Sequence, residues 1–218
     1  MGTITIAAAY GAGGSVVAPE VAERLGLPLI DRAIPVPLAH ELAGPLQDAL
    51  ADDMHHEPGP VARILLRAID LSGLFVGVPV PPRELGADER VAATEEALRR
   101  AADRGGAVVL GRGGVFVLRE RPDTLHVRLD GREPARQRQA MAHEGLDEAT
   151  AGAQLRETDR ARAAYIRHFY PGERWEDPAN YHLWIDSTRI ALDVCVEIIV
   201  AAALDVFARA AKASTAPA

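Results

Sequence analysis

Gly11, Ala12, Gly13, Gly14 and Ser15 lie between a β-branched apolar run, Thr3–Ala9, and a helical pattern, Val16–Leu25. Glycines at such a junction let the backbone approach an anion closely. The N–H groups and the dipole of the helix start then bind it. Phosphate binding is the chemistry this arrangement serves. A second glycine turn, Gly111-Arg112-Gly113, follows the apolar run Ala107–Leu110. Open α/β sheets place ligands beyond the carboxyl ends of their strands. Arg112 would stand there with a planar fork that gives a phosphate two hydrogen bonds at once.

The common phosphate-loop pattern is Gly, four residues, then Gly-Lys-Ser/Thr. Aligned on Gly13, this chain has Ala8 for the first Gly, Gly14 for the Lys and Ser15 next. In the alternative spacing Gly-Lys-Gly-Thr, the magnesium-binding hydroxyl falls at Val16. Lys212, near the end of the chain, is the one lysine among the 24 Lys and Arg residues. Phosphate chemistry in the folded body therefore falls to arginine or to backbone N–H groups. Returning Lys at position 14 and Thr at 16 would restore a cation and a hydroxyl, provided the turn admits a side chain at 14.

Arginines recur at helical spacing. Arg132 and Arg136 share one helical face, and Arg156, Arg160 and Arg167 form a narrow stripe with Asp159 and Arg162 beside it. Such a row serves either as a solvated face with local ion pairs or as charge over a transferred phosphoryl group, and spacing leaves both open. The histidines, including His55-His56, His126, His143, His168 and His182, show no metal-ligand spacing and read as structural. No strand-Gly-x-Ser-x-Gly turn supports a hydrolase triad. The single cysteine, Cys195, has apolar helical neighbours and reads as a buried structural thiol.

The elements that must hold these residues follow from pattern. Strands are expected at Thr3–Ala9, Pro28–Asp31, Ala107–Leu110, Thr124–Leu129 and Leu183–Asp186, each short and apolar. Helices are expected from Val16 to Leu25, over Asp88–Arg104, from near Pro134, over about 147–169 and from about Ile190 to Ala211. Residues of about 37–104 form a helical insert between strands, and Pro171–Asn180 is a loop. Short strands separated by helices predict a parallel sheet covered on both faces.

Length and charge narrow the classes. A chain of 218 residues suits one α/β domain, here 1–212, followed by a disordered Ala/Ser/Thr/Pro tail at 213–218. The net charge of -7 argues against nucleic acid as a partner. No apolar run reaches membrane-spanning length, no secretory signal pattern opens the chain, and one cysteine suits a reducing compartment. A cytoplasmic protein without membrane contact is expected, with homo-oligomerisation left open.

Together these segments resemble the cytidylate kinase-like family, a branch of the P-loop nucleoside monophosphate kinases. The resemblance rests on Ile4–Ile6 with Tyr10–Gly14, Leu29–Arg32, Val108–Gly113, Leu118–Asp123, Thr158–Arg162, Trp175–Tyr181 and Ile185–Arg189, in order and in spacing. It implies a P-loop nucleoside-triphosphate hydrolase fold, an α/β five-stranded parallel sheet flanked by helices. The insert would close over an acceptor nucleotide, and a lid would span about 147–180. Gly11–Ser15 would hold the donor phosphates of ATP. Asp31, Arg32 and Arg112 would sit at the acceptor, with Arg112 on its monophosphate. Arg156, Asp159, Arg160 and Arg162 would be the lid over the transferred phosphoryl group, Arg112 and the three lid arginines being the catalytic set. The implied reaction is phosphoryl transfer from ATP, with Mg2+, to a nucleoside monophosphate such as CMP or dCMP.

Departures from the family pattern leave the metal ligands unassigned. Gly14 stands where a cytidylate kinase has lysine, Val16 where it has threonine, and Leu110–Gly113 where it has Asp-Gly-Arg-Asp. Two alternatives follow: a non-catalytic nucleotide- or phosphate-sensing pseudokinase, or a kinase for a non-nucleotide metabolite.

Overall fold

Strand β1, Thr3–Ala8, is buried along its whole length, as a central parallel strand must be. The computed structural model describes residues 2–31, 87–111 and 113–215. After β1 come helix α1 (Gly14–Leu25), β2 (Leu29–Asp31), α2 (Ala87–Asp103), β3 (Val108–Leu110) and a single turn, α3 (Gly114–Val117). Then follow β4 (Thr124–Asp130), α4 (Glu133–Glu144), α5 (Glu148–Phe169), β5 (Leu183–Asp186) and α6 (Leu192–Thr215). The five strands pair in the order β2-β3-β1-β4-β5, all parallel.

Alternation along the central strands gives the sheet two different faces. Ile4, Ile6 and Ala8 of β1 and Leu125, Val127 and Leu129 of β4 join one apolar core with Val17, Ala18, Val21 and Ala22 of α1 and Cys195, Val196 and Ile199 of α6. Apart from Ala7, the residues on the other face of these strands are polar yet buried: Thr3, Thr5, Thr124, His126 and Arg128. In register, Thr3 faces Thr124, Thr5 faces His126 and Ala7 faces Arg128. Thr5 Oγ1 and His126 Nδ1 are hydrogen-bonded at 2.7 Å. Arg128 donates through Nε and Nη2 to Asp130 and stacks 4.2 Å from the Trp175 ring.

The expected strands are present within a residue or two. Helix α6 starts at Leu192 because Arg189 and Ile190 N–H groups first close a turn on the Asp186 carbonyl. It continues to Thr215, three residues into the segment expected as a disordered tail. Of the expected insert, α2 is described, whereas its earlier part lies outside the described residues, as do Arg32, His55-His56 and Arg112. Among the described residues, no helix is long and apolar enough to cross a membrane.

Candidate phosphate-binding site

Parallel strands bring all their carboxyl ends to one edge, and the site is built there. Asp31 of β2 pairs with Leu110 of β3, which pairs with Ile6 of β1. The turns beyond β1 and β3 therefore sit side by side. Both use glycine where the backbone is left-handed: Gly11 (φ 76°) and Gly13 (φ 75°) in the first, Gly111 (φ 79°) and Gly113 (φ 72°) in the second.

Gly13 is the N-cap of α1 and offers no side-chain acceptor, and the first turn of α1 carries no acid. Among the described residues, the N–H groups of Gly11, Gly13, Gly14 and Ser15 meet no acceptor. Unpaired donors and the positive end of a twelve-residue helix make this turn suited to an anion. Ser15 and Val16 are exposed at the same end. Asp31 is exposed at its sheet edge, beside the second turn.

Several side chains fix the loop from beneath. Tyr10 is buried between α4 and α5, with Ala140 and Leu155. Its hydroxyl donates its one proton to Glu144 and lies 2.7 Å from Gln154 Oε1. Its N–H donates to Asp159 Oδ1 at 3.0 Å, and its carbonyl accepts from Arg136 Nη1 at 2.8 Å. Arg136 also donates to the Gly131 carbonyl and to Asp159 Oδ2. On the other side, Ser187 Oγ donates to the Ala12 carbonyl at 2.8 Å. A Cβ on Gly11 would lie 2.3 Å from the Arg136 carbonyl oxygen, so α4 runs directly under the turn.

Helix α5 divides its charged residues between two sides. At about 100° per residue, Arg156, Arg160 and Arg167 share one face, and all three are exposed. Asp159 and Arg162 lie on the side that meets the loop, with Arg162 Nη1 donating to the Ala8 carbonyl at 2.9 Å. The structure thus brings Gly11–Ser15, Asp159 and Arg162 together and leaves Arg156 and Arg160 outward. From sequence, Tyr10 and Ser187 have no role of their own, and Arg136 is named only as sharing a helical face with Arg132. Arg136 shares a face with Arg132 by spacing, yet Arg132 is the exposed N-cap of α4 and Arg136 is buried. Only tertiary contact distinguishes them.

Position 14 differs from expectation in its physics. Gly14 has no positive φ, so backbone strain does not bar a side chain there. A Cβ at Gly14 would instead lie 2.5 Å from the Ala8 Cβ and 3.3 Å from Leu110 Cδ1. The turn does not admit lysine at 14 while position 8 carries a methyl group.

The sequence profile of the cytidylate kinase-like family matches residues 3–189. Among solved structures, an uncharacterized protein from Eubacterium ventriosum is similar at TM-score 0.63 and 19% identity, over 93% of this chain and 98% of that one. A gluconokinase from Sinorhizobium meliloti is similar at TM-score 0.45 and 20% identity, over 97% and 94% of the two chains. A shikimate kinase from Acinetobacter baumannii is similar at 0.42 and 15%, over 92% and 94%. Among proteins of curated function, none matches the sequence.

Proposed function

The chain belongs to the cytidylate kinase-like family of P-loop, kinase-like phosphotransferases, and from that premise we propose that it transfers a phosphoryl group from ATP to a nucleoside monophosphate, CMP or dCMP. The observation that carries this reading is that, among the described residues, the N–H groups of Gly11, Gly13, Gly14 and Ser15 meet no acceptor at the uncapped start of α1. Those donors would hold the donor phosphates without a lysine. Arg112 would hold the acceptor's phosphate, with Asp31 and Arg32 beside it. Helix α5 and the segment to residue 180 would act as the lid, with Arg156, Arg160 and Arg162 as its charges and Asp159 as its tie to the loop.

Magnesium fits this site only through a thin protein shell. Among the described residues, no group of three His, Cys, Asp or Glu could hold a metal ion. The Ser15 hydroxyl, exposed at the mouth of the turn, is suited to one coordination position. The phosphates and water would provide the rest, as this cation favours. When bound, the ion offsets charge on the phosphate oxygens. A cytoplasmic setting belongs to the same proposal, supported by a lone, buried Cys195.

Closure of position 14 by Ala8 favours a second reading, in which nucleotide binds and closes the protein without turnover. One assay separates them: ADP formation from ATP and magnesium across nucleoside monophosphates and phosphorylatable metabolites. The kinase reading expects slow, magnesium-dependent turnover with CMP or dCMP. Saturable ATP binding without turnover supports the sensor, and turnover with a non-nucleotide acceptor alone reassigns the substrate. A protein that binds neither ATP nor tripolyphosphate sinks the proposal altogether.

A further inference from the structure

We propose that Arg162 delivers, from α5, the positive charge that a phosphate loop usually draws from a lysine at position 14. This deepens the reading above and rests on Gly11–Ser15 being a phosphate site. In the usual loop the lysine is rooted in the first turn of the helix and reaches the outer phosphates. Here that root is closed, because a Cβ at Gly14 would sit 2.5 Å from the Cβ of Ala8. Ala8 occupies the position where the usual pattern has its first glycine. Positions 8 and 14 therefore exclude each other's side chains. A methyl group at 8 goes with a bare backbone at 14, and the lysine pattern goes with glycine at 8.

Arg162 reaches the same residue from the opposite direction. Its Nη1 donates to the Ala8 carbonyl at 2.9 Å, at the point where β1 ends and the loop begins. The guanidinium is held there rather than adrift. Asp159 Oδ1 lies 3.8 Å away, and the Trp175 ring centroid is 5.8 Å from Cζ. Asp159 is itself fixed by Tyr10 N–H and Arg136. The Arg162 side chain is 26% exposed, so an anion can reach it. Arg136, at 9%, is committed beneath the loop to Tyr10, Gly131 and Asp159. Arg156 and Arg160 lie on the outer face of α5.

Arginine suits this delivery. A lysine rooted in the loop acts as a compact point charge, whereas a guanidinium is a planar fork that stays charged and holds oxygens in two directions. It can span a loop carbonyl and a phosphate oxygen. Charge arriving on a separate helix also makes phosphate affinity depend on the docking of α5 against Tyr10.

The test is calorimetric titration of the full chain with inorganic tripolyphosphate. Wild type should bind saturably, Arg162→Gln should lose roughly tenfold or more in affinity, and Arg162→Lys should lose less. Arg167→Gln, on the outer face of the same helix, should match wild type. Adding Ala8→Gly and Gly14→Lys to Arg162→Gln should recover most of the loss. Far-UV circular dichroism identifies variants that do not fold, and the Lys and Gln variants are read against each other. Arg162→Gln binding like wild type, Arg162→Lys binding as poorly as a folded Arg162→Gln, or a folded triple variant showing no recovery would each overturn the assignment while leaving the phosphate site standing. Absence of binding by wild type removes the phosphate site and this assignment together.

Discussion

Arg136 and Asp159 pair at 2.7 Å between α4 and α5, and each also holds Tyr10, Arg136 by its carbonyl and Asp159 by its N–H. One residue of the glycine loop is thus clamped on both peptide groups by an ion pair that spans two helices. Removing one partner leaves the other with a longer ion pair, Arg162 at 3.8 Å for Asp159 or Asp130 at 3.6 Å for Arg136. Loss of a buried partner typically costs ~3–5 kcal/mol. Asp159 is 27% exposed, which places the expected loss near the lower end.

Arg136→Met should therefore destabilise the protein by about 3 kcal/mol. Asp159→Asn, which keeps an acceptor for Tyr10 N–H, should cost less, about 1–2 kcal/mol. The pair should also be non-additive in a double-mutant cycle by urea unfolding. Additive losses below about 0.5 kcal/mol would show that the clamp does not contribute.

The exclusion between Ala8 and Gly14 makes a prediction about two side chains that cannot coexist. Gly14→Ala alone should overpack the loop against Ala8 and Leu110, at a cost of ~1–3 kcal/mol. Adding Ala8→Gly removes the clashing methyl, so the second substitution should cost less in the Gly14→Ala background than in wild type. Urea unfolding of the four proteins in this cycle measures the coupling. Zero coupling would mean that the loop relaxes around the added atom.

The five strands were legible because each is a short run of β-branched and apolar residues bounded by turn signals, from Thr3–Ala8 to Leu183–Asp186. The glycine loop was legible because its spacing needs no tertiary knowledge. What escaped was every contact that brings distant segments together. Arg128 sits in a strand whose pattern reads as core, yet it is a buried cation enclosed by Asp130, Trp175 and Trp184. Arg136 and Arg132 are indistinguishable by periodicity. Spacing sets Arg162 beside the α5 stripe, but only tertiary contact turns it toward β1, where Ala8, Asp159 and Trp175 receive it.

His126 links this buried polar face to pH. Burial, then the neighbouring His182 and Arg119, holds its ring well below the ordinary value of 6.5, down to about 4. The unfolded chain therefore takes up a proton that the native ring refuses between those values. Stability from this group is present in full above pH 6.5 and falls as pH drops toward 4. The span corresponds to about 3 kcal/mol at most. Urea unfolding between pH 4.5 and 7.5 should show wild type losing stability faster on acidification than His126→Gln. Parallel curves for the two proteins would mean that the ring is not held neutral by folding.

Trp175 offers an optical readout of the loop. The chain has two tryptophans, and Trp175 lies 4.2 Å from the Arg128 guanidinium and 5.8 Å from that of Arg162. A cation over an indole face interacts directly with its π-system, so movement of either arginine alters the ring's environment. Trp184, 42% exposed on the edge strand, contributes a background signal that Trp184→Phe removes while keeping an aromatic face beside Arg128. In that single-tryptophan protein, tripolyphosphate should change Trp175 emission saturably, with the midpoint found by calorimetry. The change should disappear in the Trp184→Phe/Arg162→Gln protein at concentrations where the parent saturates. Phosphate binding seen by heat but silent in Trp175 emission would place the anion away from Arg162, and the charge at the loop would then need another source.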